Sequence, residues 1–234
     1  MKNFYRTLPA GYEKVMCVDL EKDKKLLIWI NVVAMVFFLV SLFLGTAFYA
    51  SKLPENTTVW QDLALLLWFF VLYCAYIVLH ELTHGVAYKF MTGEKLCFGF
   101  NGMVAWCGVP DLYVSRRTAM ISLAAPFLLF DVIFGLMALI PSTPLIQGLG
   151  IVLLGSHIGG CAGDLYDLWL LNTRLKSPQT LMIDPGPVQT FYLPEQQAKT
   201  YLQRWPLKNE TSERSRAGKG NNKKNVQAGK QAGN

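Results

Sequence analysis

Half of the 234 residues are hydrophobic (52%) and only 16% are charged, a balance that argues against an ordinary soluble domain and against a disordered chain. The net charge of +6 does not point to nucleic acid once it is divided along the chain, because residues 208–234 hold seven basic and two acidic side chains, a net of +5, which leaves +1 for the rest. Five cysteines without a Cys-x-x-Cys pair do not indicate a disulfide framework or a zinc knuckle.

The expected fold is an all-α integral membrane protein with four spans and a lipid bilayer as its surroundings. Residues 1–25 read as a polar cytoplasmic segment. No cleavable signal peptide is expected, since the first apolar block is too long for a signal core. That block, Leu26 to Ala50, has no charge, and at about 1.5 Å per residue it exceeds the roughly 30 Å of hydrocarbon. The second span runs from Leu63 without a charge through Leu79 and on to about Phe90. The third, Thr118 to Ile140, holds one charge, Asp131. The fourth, Pro144 to Leu171, is rich in glycine and holds His157, Asp164 and Asp167. Together residues 26–171 read as one four-span membrane domain.

Lysine and arginine beside the spans set the orientation. Lys14, Lys22, Lys24 and Lys25 precede the first span, Lys89, Lys95, Arg116 and Arg117 lie between the second and third, and Arg174 and Lys176 follow the fourth. Both termini are therefore expected in the cytoplasm, in a multi-pass protein of the plasma membrane. Residues 172–207 read as a cytoplasmic segment, and 208–234 as a disordered, solubilising basic tail. Loose contact of that tail with anionic headgroups is the sharper alternative.

Between the second and third spans, "GEKLCFGFNGMVAWCGVPDLYVSRR" is rich in strand formers, glycine and aromatics. It reads as a short hairpin or re-entrant loop. It is either a simple connector or an edge that pairs with an extended substrate. Proline at Val104 or Val109 would separate the two.

The second span carries "YIVLHELTHGVAYKF", residues 76–90. His80 and His84 are four apart and stack on one helix face, so both imidazoles can reach one metal ion. Glu81 lies about 100° around from His80, within reach of a metal-bound water without occupying a ligand position. This is the H-E-x-x-H arrangement of two zinc ligands and a general base. Ionisable groups deep in a span cost on the order of 3 kcal/mol each, which argues against a chance match.

A catalytic zinc site needs a third protein ligand. At helical rise His80 and His84 lie about 27 and 33 Å down from Asp62, while His157 lies about 20 Å and Asp164 about 30 Å down from Pro144. Depth favours Asp164, with His157 next and Asp167 or water as the remaining alternatives. Seven residues apart on a continuous helix, His157 and Asp164 cannot both reach the ion unless the helix breaks at Gly159 and Gly160. Gly155, Gly159 and Gly163 repeat every four residues on the opposite face, as a ridge on which another helix packs. Asp131, beyond a kink expected at Pro126, reads first as making a plain interhelical hydrogen bond, with a place facing the polar interior or a hydrogen bond to a histidine as the alternatives.

With HELTHG on a span, an aspartate on a later one and a glycine-rich loop followed by "ISLAAPF", the sequence resembles intramembrane zinc metalloproteases of the site-2 protease type. It is more similar still to the zincin-peptidase family of small membrane proteins, over roughly residues 5 to 195. The resemblance implies one zinc ion on His80, His84 and Asp164, with Glu81 as base. It also implies peptide hydrolysis of a membrane protein or peptide substrate. Asp164 stands in "GDLYD", however, and not in the Leu-Asp-Gly context of site-2 proteases. The competing classes are a non-enzymatic protein with a structural or transport-related metal site, and a zinc hydrolase of a non-peptide, lipid-linked substrate.

Overall fold

Asp23 caps the first long helix, α1 (Lys24–Ala50), its carboxylate accepting from the Leu26 amide at 3.2 Å. The computed structural model describes residues 2–52, 59–100, 102, 105–186 and 188–207. The readings of the basic tail and of Val104 fall outside these. α2 spans Val59–Thr92. α3 (Arg116–Leu139) is capped by Ser115, and α4 (Pro144–Gly160) by Thr143 with proline at its first position, where the missing N–H costs nothing. α5 is Ala162–Thr173. Large apolar side chains such as Trp29, Phe43 and Phe70 are mostly exposed, as a lipid-facing surface requires.

α1, residues 66–92 of α2, and α3 are each long and apolar enough to cross a bilayer, and α4 with α5 adds a fourth span if the bent pair counts as one. The chain is a multi-pass membrane protein. The fourth span expected as a single helix from Pro144 to Leu171 is instead broken at Cys161 and bent by 48°. Glycines on both sides of Cys161 weaken the helix there. α3, by contrast, continues through Pro126 as one helix.

The glycine ridge is only partly as expected. A Cβ at Gly155 would strike Ser41, and one at Gly159 would lie 2.7 Å from Phe37 Cβ and 3.0 Å from Ala34 Cα, so α4 packs directly on α1. Ser41 Oγ donates to the Val152 carbonyl across the same contact, at 3.2 Å. Gly163 has nothing within 4 Å of its would-be Cβ. Beyond the break it has turned away from α1.

The all-α expectation does not hold outside the bundle. β1 (Phe4–Tyr5), β2 (Tyr12–Asp19), β4 (Ala105–Ser115), β5 (Leu181–Asp184) and β6 (Val188–Pro194) form an antiparallel sheet in the order β1-β4-β5-β6-β2, with β3 (Cys97–Phe100) paired to the first part of β4. The segment between α2 and α3 thus does form two antiparallel strands. Val109 pairs with Asp184 of β5, and Cys97 through Phe100 pair with Gly108 through Ala105. The free edge in this region belongs to β3, so proline at Val109 would probe the sheet interior and not an open edge.

The two flanking segments read as separate cytoplasmic segments meet in this sheet, Tyr12 opposite Pro194 through Asp19 opposite Val188. Val15, Val109, Val114, Met182 and Phe191 bury one face of it against Tyr88 of α2, Leu170 and Leu171 of α5, and Ala198 of a last helix, α6 (Glu195–Arg204). Because β2 leads into α1, β3 follows α2, β4 leads into α3 and β5 follows α5, each helix pair leaves the sheet and returns to it. The sheet therefore closes one end of the bundle.

Candidate metal centre

His80 and His84 occupy the buried face of α2, at 7% and 6% exposure. Asp164 enters from the first turn of α5, placed there by the break at Cys161. Its Oδ2 lies 3.4 Å from His80 Nε2 and 3.4 Å from His84 Nε2. Tetrahedral zinc with bonds of about 2.0–2.1 Å separates its ligand atoms by roughly 3.3–3.5 Å. The donor set and its spacing therefore fit a zinc ion.

The far side of each imidazole is held as well. His84 Nδ1–H donates to the Ser122 carbonyl at 2.9 Å, and Ser122 Oγ donates back to the His84 carbonyl at 3.2 Å, joining α2 to α3. The proton on Nδ1 leaves Nε2 with a free lone pair. The Tyr76 hydroxyl lies 3.3 Å from His80 Nδ1 and 2.6 Å from His157 Nδ1. One proton assignment satisfies all three groups: Tyr76 donates to His157 Nδ1 and accepts from His80 Nδ1–H, so His80 Nε2 is also free to ligate. His157 Nε2–H then points to the Phe127 carbonyl at 3.3 Å.

His157 is fully buried on α4, its Nδ1 on the Tyr76 hydroxyl. A second donor set, His80, His157 and Cys161, also has ligand atoms within 4.8 Å of one another, and it shares His80 with the first. Asp131 Oδ1 lies 3.6 Å from His157 Nε2, beyond hydrogen-bond distance. Asp167 joins neither set.

Glu81 projects beside the histidines into a cleft of about 310 Å³ where the bundle meets the sheet. His80, Glu81, His84, Asp164, Asp167 and Asp184 all line it. Asp184, on β5, accepts from the Tyr88 hydroxyl at 2.7 Å and from the Gly186 amide at 3.2 Å. Burial raises its carboxyl to about 6, against the opposing pull of the Tyr88 hydrogen bond. Burial also pushes the nearby Cys107 thiol up to about 12, so it is not a thiolate nucleophile at neutral pH.

Sequence reasoning passed over Tyr76 and Asp184. Tyr76 stands four residues before His80, the same helical face, and that spacing is a usable signal. Asp184 opens "DPGP" between two apolar runs, a turn signature that marks the strands on either side.

Residues 73–180, just under half of the chain, match the family model described as "Putative zincin peptidase". The match contains His80, Glu81, His84 and Asp164 and is the family that the motifs resemble. No curated protein and no solved structure matches the chain.

Proposed function

We propose that this protein is a membrane-embedded peptidase in which His80, His84 and Asp164 hold one zinc ion and Glu81 is the general base. The observation that carries the reading is the convergence of two imidazole Nε2 atoms on one carboxylate oxygen, with both Nδ1 atoms engaged behind them. Three protein donors leave a fourth position for water, as in catalytic and unlike closed structural sites. When bound, zinc would supply Lewis acidity, bringing water's pKa to about 7 and polarising the scissile carbonyl.

Glu81 Oε takes the proton from the attacking water as its oxygen bonds to the carbonyl carbon. The same carboxyl then delivers that proton to the leaving nitrogen as the C–N bond breaks. Ser122 and Tyr76 keep the two imidazoles oriented throughout. The lysines and arginines flanking the helices at the sheet end support a cytoplasmic sheet and termini.

The second donor set favours one other reading, a metal that braces the bundle or is carried through it. Glu81→Gln separates the two. Under the peptidase reading the variant retains wild-type zinc content and loses at least about a hundredfold in cleavage of a synthetic peptide library. Undiminished cleavage by Glu81→Gln would remove the mechanism.

A further inference from the structure

The same cleft is lined by two carboxylates that the proposed chemistry does not use, Asp167 of α5 and Asp184 of β5. Asp184 is satisfied by Tyr88 and Gly186. Asp167 is not. It is 5% exposed, it lines the cleft, and its Oδ1 has no hydrogen-bond partner. A buried carboxylate oxygen without a donor is costly enough that native structures rarely keep one without a reason. Protonation does not remove the problem, since a proton on Oδ2 leaves Oδ1 bare and a proton on Oδ1 needs an acceptor.

The charges around it sharpen the point. Among the described residues that line the cleft there are four carboxylates, Glu81, Asp164, Asp167 and Asp184, and no lysine or arginine. Asp164 faces two imidazoles, and Glu81 stands beside them. Among the described residues none in the cleft supplies the positive charge that would complete Asp167, and a cation brought by a bound ligand would. Among the described residues no trio that includes Asp167 meets metal-ligand spacing. An extended cation with several N–H donors suits the position better than a second metal ion.

We infer that Asp167, with Asp184 beside it in the cleft, binds a basic side chain of the substrate next to the bond that is cut. The inference rests on the peptidase reading for the word substrate, and on the cleft alone for the binding. Asp164 and Asp167 are three apart on α5, hence on neighbouring positions about 5–6 Å apart. An extended peptide advances roughly 3.3 Å per residue, so the basic residue falls within about two residues of the bond.

The test reads binding. Zinc-loaded, full-length Glu81→Gln protein in nanodiscs is titrated against N-acetylated, dye-labelled alanine hexapeptides that carry either one central lysine or its uncharged isostere norleucine. The lysine peptide is expected to bind at least tenfold tighter, and Asp167→Asn in the same background to erase the difference. Equal affinities would overturn the proposal without any appeal to a variant's folding. So would a lysine preference that survives both Asp167→Asn and Asp184→Asn. A norleucine peptide with a free α-amine that binds as tightly as the acetylated lysine peptide would overturn the side-chain assignment in favour of the amine. Since turnover is not measured, a wild-type protein that cleaves nothing would refute the peptidase reading while the lysine preference stood or fell separately.

Discussion

α4 and α5 come from one apolar stretch of sequence, yet they do opposite work on either side of Cys161. α4 presents backbone: Gly155 and Gly159 let it lie directly on α1, and its histidine is turned inward behind Tyr76. α5 presents side chains: Asp164 and Asp167 project into the cleft, and Gly163 meets nothing. The 48° bend is what allows both. On a straight helix, the residue in register with His157 would sit about 10 Å further along the axis and on nearly the same face. The break instead re-aims the first turn of α5, so the carboxylate reaches the histidines of α2 while His157 bonds the Tyr76 hydroxyl that also meets His80.

That contrast can be broken most forcefully on the α4 side. Gly159→Leu would place a side chain where Phe37 and Ala34 already are, and over-packing of this kind should cost about 3 kcal/mol or more. It should appear as a large fall in thermal midpoint and in recovery of monodisperse protein. Tyr76→Phe touches the link between the two halves. It removes the hydroxyl that joins His80 to His157, and zinc affinity in a chelator competition should fall by about 10- to 100-fold. On the α5 side Gly163→Ala should do least. The new methyl has room, and a better helix former should raise stability by up to about 1 kcal/mol without altering zinc content.

The bundle was legible in the sequence because membrane helices announce themselves by length and lack of charge. HELTHG was legible because i, i+4 spacing fixes a helix face. Depth counting could favour Asp164 over His157 but could not see that a bend at Cys161 brings one carboxylate oxygen within 3.4 Å of both imidazoles. The sheet escaped notice for a different reason. Its paired strands lie far apart in sequence: Phe4 pairs with Val114, and Tyr12 with Pro194. Each alone looks like a polar extension, and only the pairing creates a face to bury. Asp184 becomes part of the cleft through that pairing, opposite Val109.

The most direct test is the zinc content of the purified full chain, determined side by side for wild type, Asp164→Ala and His157→Ala at saturating zinc. The assignment of the metal to His80, His84 and Asp164 requires a single ion in the wild type, its loss in Asp164→Ala and its retention in His157→Ala. Zinc that persists without Asp164, or that disappears with His157, would contradict it and shift the metal to the donor set behind Tyr76.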